Sequence, residues 1–454
     1  MDTTQRIADF IVRVGYDDIP SKAIEAAKTS IIDCVGTCLA GSQDPSGRII
    51  AEYIREIGGK PEAGVIAKGF RTCAPEAALA NGTMGHALDY DDTSEAFLGH
   101  PTTVILPAVL ALGERNKISG KEALLSYIVG YEVGAKIGLG MGAAHYDVGW
   151  HSTATFGTMA AATACAKILK LDVQRTRVAL GIAASLAGGL RQNFGTMTKP
   201  LHAGNAARNG VVATLLAKKG FTADQGILEG PLGYAKLFSG KGEYNLERMT
   251  QGLGAPFAID SPRPMIKLYP SCRATAGCID AILHLVREHT INPADVDEVE
   301  CRTSSVTPQV LIHSHPQTAL EGKFSMQYCM AIAIIDKEAG LKQFTDDKVQ
   351  NPEVQELISK VKYAHPPEMG STVSGALRGK VEVVVKLRNG AELCHRVEVA
   401  KGDSENPLMG EEIEQKFLDC AELALSHQDA KQCLDMLSNL DSVEDISELM
   451  KLLS

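Results

Sequence analysis

The residues best suited to chemistry in this chain lie in FGTMTKPLHAGNAARNG, positions 194–210, where Lys199 and His202 stand at a loop-to-helix junction among very small residues. Gly195 lets the backbone turn, and Pro200 suits the first helical turn, where a missing N–H costs nothing. Gly204, Ala206, Ala207 and Gly210 give the helix a smooth face that another helix can approach closely. Free N–H groups and the positive helix end favour an anion beside Lys199. The segment reads as a carboxylate or phosphate pocket; the plainer alternative is a tightly packed helix with a surface lysine.

GHALDYDDT, positions 85–93, places Asp89, Asp91 and Asp92 within four residues. Crowded carboxylates repel one another unless a cation or hydrogen-bond donors hold them. Asp91 and Asp92 with Glu95 resemble the DDxxE magnesium site of all-helical terpenoid synthases. Alternatively, one aspartate orients a catalytic histidine, or the cluster is a solvated helix end. No second Asp/Asn-rich motif accompanies it, which argues against magnesium. His100, in His-Pro-Thr, and His151, in Trp-His-Ser, precede helical patterns. The positive end of a helix disfavours an imidazolium, so such a histidine is neutral near pH 7 and serves as base or acid. KLYPSCR adds the cations Lys267 and Arg273, and KFSMQY puts Tyr328 at a helix start. Both segments follow a change of texture along the chain, and ligands often bind where domains meet.

The elements that must position these groups are mostly helical. Helix patterns begin at Pro20-Ser21, running through Cys34, and cover Ala74–Leu88, Val104–Arg115, Lys121–Leu139, Thr153–Leu169, Thr176–Leu186 and Pro200–Lys219, most of them punctuated by glycine or proline. At Ser261-Pro262-Arg263-Pro264 the texture changes. Val296–Ser304 reads as a strand, and Lys380–Val399 as a hairpin with a type I′ turn at Asn389-Gly390. After Pro407 the chain is helical again. The expected fold is mainly α: a large all-helical domain built from both ends of the chain, 1–264 and 403–454, with an α+β domain inserted at 265–402.

A chain of 454 residues exceeds one simple core, which agrees with two domains. Its net charge of −10, with lysine and arginine scattered, argues against nucleic-acid binding. None of the eleven cysteines stands in a CxxC pair, so no zinc or disulfide framework is expected. The N-terminus reads as an amphipathic helix without a signal-peptide charge pattern, and no apolar run reaches the roughly 18 residues of a membrane span. A cytoplasmic protein that contacts no membrane is the expectation.

Taken in order, GHALDYDDT, HPTT, GTMTKPLHAGNAARNG, KLYPSCRATAGCIDA and KFSMQY resemble the MmgE/PrpD family, and the resemblance covers essentially the whole chain. That family includes 2-methylcitrate dehydratases, cis-aconitate decarboxylases and iminodisuccinate epimerases. The resemblance implies a helical domain with a smaller α+β lid, a homodimer, and activity without metal or organic cofactor. Carried over by motif, the pocket contains Asp89, Thr93, His100, His151, Lys199, Lys267 and Tyr328. Lys199, Lys267 and Arg273 would clamp carboxylates, with Thr93 and His202 also binding substrate. His151 and His100 would move protons, Asp89 would fix a histidine tautomer, and Tyr328 would be a second donor. Ser94 stands where dehydratases and decarboxylases often carry Trp, and the loop to His100 is one residue longer than in the decarboxylases. The expected activity is that of a lyase on a small di- or tricarboxylate, led by dehydration of a 2-methylcitrate-like hydroxy acid. Decarboxylation of cis-aconitate and epimerisation are the alternatives. A non-catalytic carboxylate-binding protein is a further one.

Overall fold

The computed structural model describes residues 2–240, 243–408 and 410–454. It is mostly helical with small sheets. The described residues divide into two compact units, one comprising Met1–Asn193, Met197–Pro264 and Met409–Ser454, the other Phe194–Thr196 and Met265–Leu408.

The first unit contains α1 (Thr3–Arg13), α2 (Ser21–Gly41), α3 (Pro45–Ile57), α4 (Ala74–His86), α5 (Thr102–Asn116), α6 (Gly120–Asp147), α7 (Ser152–Ile168), α8 (Val173–Leu186) and α9 (Thr198–Lys218). Side-chain caps explain several starts. Asp44 accepts from Ser46 N and Asp172 from Arg175 N, and Ser119 forms a capping box with Glu122. Helix α6 outlasts its expected end at Leu139 and runs to Asp147, with a break at Gly142, whose φ is 65°. A short hairpin pairs β1 (Ala63–Val65) with β2 (Phe70–Thr72).

Small residues let α9 lie directly on α4 and α7. A Cβ on Gly204 would collide with the carbonyl of Leu79, and one on Gly82 would come 2.8 Å from the Gly204 Cα. One on Gly210 would strike Ala161 of α7. These contacts bring the end of α4 and the starts of α7 and α9 together. The C-terminal helix Gly410–Ala421 packs on α2, where Gly36 faces Phe417. From that helix, buried Lys416 pairs with Asp33 of α2 and donates to the carbonyl of Tyr90 at 2.9 Å.

In the second unit, a four-stranded sheet has the order β4-β3-β5-β6, formed by β3 (Val296–Arg302), β4 (Val361–Ala364), β5 (Val381–Leu387) and β6 (Glu392–Val397). β3 runs parallel to β4 and antiparallel to β5, and β5 and β6 form the hairpin. Its turn departs from expectation. Only Gly390, at φ 86°, has positive φ, and Gly390 N bonds to Leu387 O at 2.9 Å. This is a turn followed by a left-handed glycine, not the type I′ form, which requires positive φ at Asn389 as well. Val381, Val383 and Val385 point into an apolar core shared with helices Ala276–Glu288 and Met326–Asp336. Phe194 stacks near Phe324 at 5.8 Å, and Gly195, at φ 84°, lies against His313.

No described helix is long and apolar enough to cross a membrane. All eleven cysteines are free thiols.

Candidate active site

His86 is the last residue of α4, and the chain turns at once: Asp89 adopts a left-handed φ of 51°, with its N–H bonded to His86 O at 3.2 Å. Such a conformation is costly for a residue with a Cβ and is tolerated best by Asp and Asn. The turn separates the three aspartates. Asp92 accepts from the backbone N–H of Thr102 at 3.3 Å and from its hydroxyl at 2.6 Å. Burial, together with Asp33 and Asp91 nearby, raises the Asp92 pKa well above the carboxylate range against the pull of Thr102. Residues 94–99 close on themselves through a Ser94–Gly99 bridge, and His100 N donates to Thr153 Oγ1 at 3.1 Å, tying this loop to the start of α7.

Five side chains then meet. Asp91 Oδ1 lies 2.9 Å from His86 Nδ1, and Asp91 Oδ2 lies 3.1 Å from His100 Nδ1. His86 Nε2 is 2.9 Å from Lys199 Nζ. Lys199 Nζ donates to Asp89 Oδ1 at 3.1 Å, and the same oxygen is 3.5 Å from His100 Nε2. The contacts form a closed ring of buried groups. The His86 ring lies 4.3 Å from that of His100 and 6.0 Å from that of His151. His151, which precedes α7, meets His202 through their Nδ1 atoms at 3.1 Å.

Burial controls the charges. It pushes His86 down to about 4 against the pull of Asp91, with Lys199 and His100 adding to the drop. Burial holds His151 well below its ordinary value, helped by Lys199 and the other histidines, and lowers His202 to about 4. Burial opposes ionisation of Asp91, yet His86 and His100 beside it hold its carboxyl well below the usual range. The cluster combines neutral imidazoles, an anionic Asp91 and the Lys199 ammonium, a set able to bind an anion and exchange protons with it.

Of the residues singled out in the sequence, Asp89, His100, His151, Lys199 and His202 converge here. Thr93 is buried in the same acidic segment, and its hydroxyl makes no hydrogen bond among the described residues. Asp91 faces the Nδ1 atoms of His86 and His100, and Asp89 faces Lys199 and His100 Nε2. His86 and Asp91 were missed as a pair, although a histidine five residues before an aspartate at a helix end was the available signal. The DDxxE reading is corrected, because Asp91 turns to histidines, Asp92 to Thr102, and Glu95 is exposed.

The other three candidates belong to the second unit. Lys267 is buried there. The Arg273 guanidinium meets Asp403 at 3.2 Å and the Lys401 carbonyl at 3.2 Å, and Arg378 also binds Asp403, at 2.9 Å. Arg273 is thus matched by a carboxylate in this structure. Tyr328 is fully buried in the apolar core, its hydroxyl donates to the Gln343 carbonyl, and its ring meets Phe344 edge-on at 5.5 Å. That placement packs its ring and directs its hydroxyl to the backbone of the same unit.

His86, Asp89, Asp91 and His100 offer ligand atoms within 4.8 Å of one another and form a set able to hold a metal ion. His86 Nε2 and Asp89 Oδ1 already face the Lys199 ammonium.

The fold and site define a mostly helical protein of two units that buries a histidine–aspartate–lysine cluster at a meeting of helix ends. The chain belongs to the MmgE/PrpD family: residues 5–247 match the MmgE/PrpD N-terminal domain and residues 269–442 the C-terminal domain. It is 32% identical to a cis-aconitate decarboxylase of Aspergillus terreus, over 99% of this chain and 96% of that protein. It is 28% identical to the cis-aconitate decarboxylases of Mus musculus and Homo sapiens, over 99% and 97% of this chain and 93% and 92% of theirs.

Proposed function

We propose that this protein is a lyase that decarboxylates cis-aconitate or a close tricarboxylate analogue, without metal or organic cofactor. The relatives support decarboxylation above the dehydration that led the sequence reading. The observation that carries the proposal is the buried Lys199 ammonium, 2.9 Å from a histidine that burial keeps neutral.

cis-Aconitate carries a carboxylate on the CH₂ next to its double bond. When the bond to that carboxylate breaks, its electron pair forms a new double bond to the former CH₂ carbon. The electrons of the old double bond then take a proton at the carbon beyond. The site must therefore hold anions and deliver one proton. Lys199 binds a carboxylate in a poorly solvated pocket, where the attraction is stronger than in water. A bound polycarboxylate also brings negative charge next to the histidines, which favours their protonated forms. His151 and His100 are the proposed proton carriers; such a positioned acid contributes about 10²–10⁴-fold. Asp89 holds Lys199, and Thr93 and His202 contact the substrate.

The test is incubation of the purified protein with cis-aconitate, 2-methylcitrate, citrate and iminodisuccinate in D₂O with EDTA, followed by proton NMR. Loss of CO₂ from cis-aconitate with one deuterium retained on carbon is expected. Water loss from 2-methylcitrate, or deuterium exchange in iminodisuccinate, without decarboxylation would move the protein to another branch of the family. Binding without turnover would make it a carboxylate-binding protein, and activity abolished by EDTA would assign a metal.

The proposal includes the homodimer implied by the family resemblance. Ile49, Tyr53 and Ile57 are exposed at helical spacing on α3, an apolar stripe that a second copy would cover. Sedimentation of the wild type and of Tyr53→Lys tests it, with a shift toward monomer expected in the variant.

A further inference from the structure

Lys416 belongs to the helix Gly410–Ala421 and stands 326 positions after the residue it holds. Its side chain is buried, and three contacts converge on its ammonium. It pairs with the carboxylate of Asp33 on α2, lies 3.8 Å from the centre of the Tyr90 ring, and donates to the Tyr90 carbonyl at 2.9 Å. Ring and carbonyl belong to one residue, so a single cation holds Tyr90 by its side chain and by its backbone. Gly36 of α2 permits the approach. A Cβ there would stand 3.2 Å from the ring of Phe417, next to Lys416, and 3.4 Å from its Cα. Tyr90 is the residue between Asp89 and Asp91. A peptide bond is planar, so fixing the Tyr90 carbonyl fixes the plane that also carries the Asp91 N–H. From that plane Asp91 turns its carboxylate to His86 Nδ1 at 2.9 Å. Before Tyr90, Asp89 takes its left-handed φ of 51° and receives the Lys199 ammonium at 3.1 Å.

We propose that Lys416 is a positioning residue: it anchors Tyr90 at ring and carbonyl, and thereby sets the directions in which Asp89 and Asp91 leave the acidic run toward Lys199 and His86. Its effect on turnover rests on the decarboxylase reading; its grip on residues 89–91 does not. The run needs an outside restraint. A left-handed residue with a Cβ is costly, and crowded carboxylates repel one another. An ammonium suits Tyr90 on both counts, because the ring face is electron-rich and the carbonyl is a strong acceptor. In a dry interior these contacts are worth more than in water. Asp33 supplies the opposite charge that lets the lysine stay there. Lys416 acts through Tyr90 and needs no contact with substrate. The helix Gly410–Ala421, which follows the second unit in the chain, is thereby part of what shapes the site in the first.

The test uses a charge-balanced double variant of the full chain. Lys416→Met with Asp33→Asn removes the grip without stranding a buried charge. Hydrogen exchange read by mass spectrometry should speed up by about tenfold in peptides covering 86–93, while α8 keeps its wild-type rate. With cis-aconitate, kcat per folded molecule should fall about 10²-fold and KM should change less, since a misplacement of about 1 Å costs that much. Lys416→Arg keeps a cation for the ring and a donor for the carbonyl, and should retain most of the activity. Wild-type exchange over 86–93 in the double variant overturns the proposal. Faster exchange there with kcat unchanged overturns it as well, leaving Lys416 a role in stability alone. In the wild type, ¹³C-lysine NMR should show the Lys416 Cε protons shifted upfield by the Tyr90 ring, assigned by their loss in Lys416→Arg. Absence of that shift overturns the proposal even if the double variant fails to fold. The expected exchange and shift in a protein that leaves cis-aconitate untouched would reject the decarboxylase reading alone.

Discussion

Lys199 in the first unit and Arg273 in the second are equally buried cations, each about 5% exposed, yet their surroundings differ in kind. Arg273 is fastened to Asp403, which also holds Arg378, and to a backbone carbonyl. Its charge is matched by Asp403, which it shares with Arg378. Lys199 shares its protons with a neutral histidine and with an aspartate that also faces His100. A buried ion pair closed on itself holds structure, and removing one partner strands the other. A buried cation in a ring of titratable groups can change partners at little cost when an anionic ligand arrives. Tyr328 and His151 repeat the contrast, one spent on a carbonyl in an apolar core, the other on a second histidine.

The sharpest way to break this comparison is at Lys199. Lys199→Ala should lower kcat/KM by about 10³-fold while the far-ultraviolet dichroism stays that of the wild type. Lys199→Arg should also be poor, since a planar fork does not replace a point charge. Near-normal turnover in either variant would remove Lys199 from the site. Arg273→Ala should do the reverse, costing about 3–5 kcal/mol in urea unfolding while the folded fraction keeps its kcat. A large loss of kcat at full stability would restore Arg273 to substrate binding.

The close approach of α9 to α4 gives the next effect. Gly204→Ala should destabilise by about 1–3 kcal/mol, because its Cβ would meet the Leu79 carbonyl and the Thr83 hydroxyl. It should also weaken activity by displacing the start of α9, and unchanged melting would show that the helices can separate freely.

Acid should act first on the first unit. His86, His145 and His202 sit at about 4 in the fold against 6.5 ordinarily, so the unfolded chain binds more protons between those values. Their stabilisation is present above pH 6.5 and is lost as pH falls toward 4, at up to about 1.4 kcal/mol per pH unit for each group. Hydrogen exchange should show α4, α7 and α9 losing protection over that window before β3 and β5 do. The smallest effect belongs to Tyr328→Phe, about 1 kcal/mol from the lost bond to Gln343 with kcat unchanged.

Much of the first unit was legible because its signals are local. Pro200 marks the start of α9, Ser21 that of α2, and the glycines and alanines of α9 announced the close approach that Gly204 and Gly210 make. β4 was not legible. VKYA is too short and too ordinary to stand out, and it is a strand because β3 offers it a parallel edge. The role of Asp91 was hidden for a related reason. Three aspartates in four residues look interchangeable until the left-handed turn at Asp89 sends each toward a different partner.

By itself the sequence determined where helices start, which faces are smooth enough to pack tightly, and to which family the chain is similar. These follow from backbone preferences and side-chain size over a few residues. Only the tertiary structure decided which charged groups meet. Lys199 and His86 are 113 positions apart, and their contact exists because α9 lies flush on α4. Lys267, Arg273 and Lys199 read alike as carboxylate-binding cations along the chain. Whether a buried charge is spent on a partner or held among groups that can trade protons depends on what packing places within about 3–4 Å of it, where low polarity makes each neighbour count.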